Sequence, residues 1–492
     1  MTDDNADKRL TRRNALRIAG AAGAASLAGC GGSGDGSSGD GSSGDGSSGD
    51  GSSGDGSSGD GESTSSGTQY STLEVAHWWG EGDGLEAIQS VMDAFKEKHP
   101  DVPFDENLIA GGAGENLQAN IRTRVQNGNH PSTWQAWPGK NLTPFTDASL
   151  LKDIEESVWS QNGMKDAYLG GVKNAAQPGG SYVTVPLNIH RINNLFYNVE
   201  VVEDAGVDPT SLETPEDLVG ALQTVEDAGY TGMAHQTGSP WSSFQMFATV
   251  LLGQTDAETY SAIFEDGQVD ANSDALQTAV ETTQSYLEYI PSDAGSISWT
   301  EANNQVINGE AAFLHQGDWA AGTYITNDLV YGEDWDHVAF PGTSGYYSLN
   351  MDSFPYPINN PSPEATTLWC RFVGTAEAQE IFNPKKGSIP PRSDVSTEPF
   401  NEFSTGQIED FQNSEAQPPS VAHGLAAPPA VQSSLESAIS SLANADELDR
   451  DDYDVLVDVR AVCPNCGTDA PVGELIRRGG CGCTTESEPT GE

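Results

Sequence analysis

The stretch Leu73–Gly84, LEVAHWWGEGDG, constrains the fold more than any other part of the chain. A short β-forming run enters two adjacent tryptophans, Trp78 and Trp79, and then a glycine-rich loop, after which Leu85, Ile88, Val91, Met92 and Phe95 recur on one helical face. Strand, loop and amphipathic helix in that order open an α/β layer structure, in which ligands collect at the carboxyl ends of strands. Two indoles at such an end offer flat apolar platforms, and Glu81 and Asp83 add carboxylate acceptors beside them. A sugar ring requires both, because its C–H face lies on an aromatic plane while its hydroxyls demand oriented hydrogen bonds. Two plainer readings stand beside this one. Either indole could be core, or Gly80, Gly82 and Gly84 could form a phosphate loop; their spacing is wrong for that, and the interleaved acids would repel a phosphate.

Alternating strand and helix signals continue downstream. Val102–Leu108 reads as a second strand, Leu117, Ile121 and Val125 as a helix face stopped at Gly128, and Thr133 to Trp137 as a short strand ending at Pro138. Two strands are expected between Gly180 and Tyr197. A helix begins at Thr214, a good N-cap, with Pro215 in the first helical position and Glu216 and Asp217 at the positive dipole end. Trp241 stands at the start of another helix. An apolar strand from Ala311 to Leu314 leads to Asp318 and Trp319, which repeats the pairing of an acid with an indole just past a strand.

Residues 1–30 read as an export signal, with Arg12 and Arg13 before a short, mildly apolar segment, as in a twin-arginine leader. It ends Leu27-Ala28-Gly29-Cys30, similar to a lipobox, which makes Cys30 the expected lipid attachment site. Residues 31–70 repeat Asp-Gly-Ser-Ser-Gly and cannot bury apolar surface; as a flexible tether they would span roughly 35 Å. About 390 residues remain, enough for two lobes with separate cores. The formal charge of −51, from 73 acidic against 22 basic side chains, disfavours nucleic acid as a partner and suits a halophile's surface. Molar salt shortens the screening length to about 3 Å and relieves the self-repulsion.

Five segments together carry a family resemblance: His77-Trp78-Trp79; Pro186 to Arg191 with Tyr197-Asn198; Asn308 to Phe313 leading to Gly317-Asp318-Trp319; Gly387 to Arg392; and Ala422-His423-Gly424. From Leu73 to Leu442 the chain resembles extracellular solute-binding proteins, family 1, of carbohydrate ABC importers, most closely the branch that binds glucose and related monosaccharides, here as a haloarchaeal-like lipoprotein. The resemblance implies a two-lobe α/β periplasmic-binding-protein-like fold with a hinge and an interlobe ligand cleft. The expected partition is residues 71–185 as the first lobe with a return segment at about 311–360, and residues 186–310 as the second with a return segment at about 361–450. Carried over residue by residue, the resemblance implies ligand-binding roles for Trp78, Trp79, Glu81, Gln135, Trp241, Asp318 and His423, while Asn188 and Arg191 suit hinge packing. Trp137 stands where the family often has a histidine.

The implied protein is a monomeric receptor without catalytic residues, held by its lipid at the outer face of the cytoplasmic membrane, which passes a sugar to permease subunits. A surface glycoside hydrolase is the alternative, since Glu81 and Asp318 could flank a bond if about 5 to 9.5 Å apart; an adhesion module is another. No cofactor is expected in the lobes. In the tail, residues 454–492, Cys463, Cys466, Cys481 and Cys483 are compatible with a structural zinc site, with disulfides, or with a nonstandard C-terminus.

Overall fold

The computed structural model describes residues 69–80, 82–111, 114–443, 460–462 and 469–477. Cys30, Glu81 and the four tail cysteines lie outside the described residues.

The chain begins with three parallel strands, β1 (Leu73–His77), β2 (Phe104–Leu108) and β3 (Thr133–Trp134), in the order β2-β1-β3. Leu73, Val75, Ala76 and His77 of β1 are buried without regard to alternation, as expected for a central parallel strand covered on both faces. The helix Gly82–Lys98 lays Ile88, Val91, Met92 and Phe95 on this sheet, the face expected from their spacing. Two short strands follow, β4 (Thr184–Pro186) and β5 (His190–Arg191), and carry the chain out of the first lobe.

The second lobe is a mixed sheet of β6 (Asn194–Asn198), β7 (Thr231–Met233), β8 (Ala311–Gln316) and β9 (Trp335–Ala339), in the order β7-β8-β6-β9. β6 is antiparallel to both β8 and β9, while β7 and β8 run parallel. The helix Pro215–Ala228 starts on a capping box in which Thr214 and Asp217 each bond the other's backbone N–H, and it buries Leu218, Leu222 and Val225. Such a cap stabilises a helix by about 1 kcal/mol. Two further strands lead back: β10 (Leu349–Asn350) pairs antiparallel with β5, and β11 (Ser353–Pro355) with β4. These two antiparallel pairs are the structural basis of the hinge.

The return segments are only partly the expected ones: residues 347–356 lie in the first core and Pro429–Ala443 in the second, but β8 and the helices between residues 363 and 386 take the opposite lobe. All six residues of β8 are buried, so this strand takes a central place beside β6 and β7 in the second lobe instead of returning to the first. The helices Pro363–Val373 and Ala376–Lys386 bury Trp369, Phe372 and Phe382 with Phe95 and Phe354 in the first core, not the second. Val421, Ala422, Ala426 and Ala427 belong to the second core while Leu425 still joins the first, and the helix Pro429–Ala443 packs in the second. The tail contributes a hairpin, Arg460–Val462 with Asp469–Pro471, and a helix, Val472–Arg477, whose Val472, Leu475 and Ile476 join that core. Among the described residues no helix is long and apolar enough to cross a membrane.

Candidate functional site

Between the lobes lies a cleft of about 1030 Å³. Its walls take six of the chain's ten tryptophans: Trp78 and Trp79 just past β1, Trp137 just past β3, and Trp241, Trp299 and Trp319 at the first turns of three second-lobe helices. Indoles therefore face the cleft from both lobes. They meet one another and two histidines edge to face: Trp78 on Trp137 (5.6 Å between centroids), Trp137 on His423 (5.1 Å), Trp319 on His423 (5.6 Å) and His190 on Trp319 (5.2 Å). Such contacts fix ring planes in orientation, each adding about 0.5 to 1.5 kcal/mol beyond burial.

Two glycines at helix starts, Gly84 in the first turn of Gly82–Lys98 and Gly114 just before Glu115–Gln126, make room for the indoles. A Cβ on Gly84 would sit 2.6 Å from Trp79, and one on Gly114, at φ 101°, would press on the ring of Trp78 at 3.1 Å. Trp78 is half-buried and presents surface to the cleft. Trp79 lines it too but is only 6 % exposed, packed on Phe382 (5.1 Å), so most of its ring is core.

Behind the floor runs a buried polar relay. Asp318 accepts from the Arg191 backbone N–H (2.9 Å) and pairs with Nδ1 of His190. Nε2 of His190 lies 3.6 Å from Asp352 and 2.9 Å from Asn188 Nδ2. Asp352 accepts from Gln135 Nε2 (2.9 Å) and Asn188 Nδ2 (2.9 Å), and Gln135 Oε1 accepts from the Trp78 backbone N–H (3.0 Å). The relay thus runs from the end of β8 in the second lobe, through the hinge strands, to the first tryptophan of the first lobe. Burial opposes a charge on His190, but the carboxylates of Asp318 and then Asp352 outweigh it and raise the pKa above the ordinary histidine value. Burial likewise works to raise Asp352, yet the hydrogen bonds from His190, Gln135 and Asn188 hold it low. His423, bonded to Ser420 Oγ (2.7 Å), is pushed down by burial to about 3 and stays neutral at physiological pH. On the cleft wall, burial and the facing charge of Glu115 push Glu436 up to about 7.

Of the residues singled out in the sequence, Trp78, Trp79, Trp241 and His423 line one cleft. Gln135 and Asp318 are fully buried one layer behind it, where their oxygens are taken up by protein. Glu81 lies outside the described residues. Lining residues that were given no ligand-binding role from the sequence include His190, Asn350, Asp352, Trp299 and Trp319. His190 and Trp319 stood within the quoted motifs, next to residues that were chosen. Asn350 and Asp352 gave no local signal, because their place depends on the pairing of β10 with β5.

A family profile described as bacterial extracellular solute-binding protein matches residues 90–407. A second, described as Rod-determining factor A, matches residues 427–484. The chain is 42% identical over 439 residues to the xylose/arabinose-binding protein XacG of Haloferax volcanii, an alignment covering 88% of this chain and 94% of that protein. It is 32% identical over 391 residues to an uncharacterized ABC transporter extracellular-binding protein of Pyrococcus horikoshii, covering 79% and 88%. Among solved structures, the solute receptor AcbH, described as having an exclusive preference for β-D-galactopyranose, superposes with a TM-score of 0.68 at 17% identity, over 78% of this chain and 96% of that one. A chitin oligosaccharide binding protein gives a TM-score of 0.68 at 15% identity, over 79% and 97%. These structures share the two-lobe architecture.

Proposed function

The chain belongs to the bacterial extracellular solute-binding protein family, and on that premise we propose that it captures a sugar between its lobes and delivers it to the permease subunits of an ABC importer. The observation that carries this reading is the meeting of tryptophans from both lobes with a polar floor in one cleft. Stacking platforms and fixed hydrogen-bonding groups are what a pyranose or furanose needs, and the volume matches the upper end of the usual range for ligand sites, about 300 to 1,000 Å³. A neutral monosaccharide, pentose or hexose, is the ligand we favour; the name of the Haloferax relative supports the pentose side. Trp78, Trp241 and His423 would touch the sugar, Trp79 would back the platform, and Glu81 would accept hydroxyls from the loop. Gln135 and Asp318 act on the ligand through Trp78 and His190 in this reading. In this reading the protein is a receptor that binds and releases without catalysis, which is supported by the family match and by the burial of Asp318, whose oxygens serve His190 and the Arg191 backbone.

Outside the membrane the receptor would be held by lipid on Cys30 after twin-arginine export, as a monomer, with the Asp-Gly-Ser repeat as leash and the acid excess suited to a saline medium. For the tail we retain a structural zinc on Cys463, Cys466, Cys481 and Cys483 as a proposal, to be separated from disulfides by zinc content before and after thiol alkylation. The central test is equilibrium titration in molar KCl, read by tryptophan fluorescence, with xylose, arabinose, glucose and galactose against amino acids. A saturable response to at least one sugar and to no amino acid is expected. Silence across the sugars would end this reading.

A further inference from the structure

We propose that the C-terminal hairpin and helix form a positioning brace for the cleft: docked behind the helix Pro429–Ala443, they hold in place the wall that this helix presents to the ligand; the inference rests on the sugar-binding reading above. Pro429, Gln432, Ser433 and Glu436 recur at helical spacing and line the cleft, so one face of that helix is a cleft wall. Val431, Leu435 and Ile439 form a second face, buried in the second core. The hairpin Arg460–Val462 with Asp469–Pro471 and the helix Val472–Arg477 both pack against Pro429–Ala443. Val472, Leu475 and Ile476 are buried there, and Ile476 meets Leu435 and Ile439 beside Phe247 and Phe264.

The tail also reaches a second support of the cleft. Gly267, at φ 70° just past the helix Ala257–Phe264, lies so close to the tail that a Cβ there would collide with the carbonyl oxygen of Gly473. Two residues earlier, the Glu265 carbonyl accepts from Lys140 Nζ (3.3 Å). Lys140 comes from the first lobe, in the short helix Gly139–Leu142, whose Leu142 packs with Trp134 of β3. The tail helix therefore backs both a wall of the cleft and the turn to which the opposite lobe is tied. Interiors packed at crystal density transmit a displacement from one side chain to the next, so release of the tail loosens wall and turn together. Docked and released tail are two discrete arrangements, and a wall held still before the ligand arrives costs less to order on binding.

The test uses full-length variants in molar KCl. Gly267→Ala drives a methyl into the Gly473 carbonyl, and Ile476→Asp puts a charge into the apolar contact with Leu435 and Ile439; neither residue lines the cleft. Val373→Ala, in the first core, is the control for a loss of stability alone. Hydrogen exchange over residues 469–477 and 429–443 reads the docking of the tail. Tryptophan fluorescence reads affinity for the preferred sugar, well below each variant's unfolding midpoint. Both tail variants should exchange faster over both stretches and bind the sugar at least about fivefold more weakly, while Val373→Ala keeps the parent's affinity. Because both substitutions release the same segment, the double variant should lose no more affinity than the worse of the two singles. The proposal is overturned if a variant releases the tail yet binds as the parent does, if the tail stays protected in both, or if Val373→Ala loses as much affinity. It is equally overturned if the losses multiply in the double variant, or if both tail variants fail to fold, which would make the tail part of the lobe's core. A parent that binds no sugar sinks the functional reading and this inference together; a parent that binds, with variants that match it, sinks this inference alone.

Discussion

Replacement of Asp318 separates two roles that a carboxylate near a sugar cleft could play. Its side chain is 0 % exposed, and its two oxygens serve the Arg191 backbone N–H and the imidazole of His190, itself 2 % exposed. Asp318→Ala therefore removes both acceptors at once, leaving a buried amide without a partner and an imidazole with its nearest counter-charge gone. Breaking a buried ionic pair from one side costs about 3 to 5 kcal/mol. For a chain of this size the urea m-value lies at about 3 kcal/mol/M or above, so the unfolding midpoint should fall by roughly 1 to 2 M or somewhat less. Asp318→Asn, which keeps one acceptor, should fall in between. The pH dependence gives a second reading. The folded-state pKa of His190 lies above its unfolded value, so the stability it contributes is complete below about pH 6.5 and lost as pH rises through the folded value. That slope should flatten in Asp318→Ala. Urea melts of parent and variants in molar KCl at several pH values, each with a sugar titration, provide the assay. An Asp318→Ala protein that melts with the parent yet no longer binds sugar would refute the reasoning, since the carboxylate would then act on the ligand and not on the hinge.

Two further outcomes follow from the cleft walls. Gly114→Ala forces a Cβ against Trp78 at a backbone conformation that L side chains rarely adopt, so it should destabilise the protein by about 1 kcal/mol or more and shift the emission of Trp78; unchanged emission and unchanged thermal midpoint would show that the glycine is not needed there. Glu436 has a folded pKa raised to about 7 by burial and by Glu115, so the stability linked to its proton is present below about pH 4.3 and lost as pH climbs through 7. Glu436→Gln should remove that part of the slope and melt at or above the parent at pH 8, by about 2 to 4 °C for each kcal/mol recovered, as checked by thermal scans across the range.

Much of the architecture could be read from local pattern. The β1 strand, the helix after it and the Thr214 capping box all follow from periodicity and end signals confined to a few residues, and the structure places them accordingly. What local pattern could not supply was partnership over distance. The apolar run Ala311 to Leu314 of β8 would suit either lobe, and only its pairing with β6, more than a hundred residues away, decides which. The same limit applies to the site. Trp78 was identifiable because two indoles stand out at the end of a strand, and His423 through the family motif Ala422-His423-Gly424, whereas Asp352 is an acid in an unremarkable stretch until β10 meets β5 and sets it beside His190 and Asn188. Gln135 and Asp318 were found in the right neighbourhood, one layer behind the lining, a depth that sequence spacing does not encode.

The crossing of the chain between lobes also sets a schedule for its synthesis. The first core includes residues as far on as Ile389, Phe411 and Leu425, and the second needs Leu435 and Ile439, so neither half can be completed from its own N-terminal portion. At about 5 to 20 residues per second, a ribosome works for roughly 20 to 90 s before the last of these side chains emerges. Within it β1 waits roughly 18 to 72 s and β8 roughly 6 to 25 s without full cover, and a nascent chain of this kind depends on whatever shields such strands until its end is made.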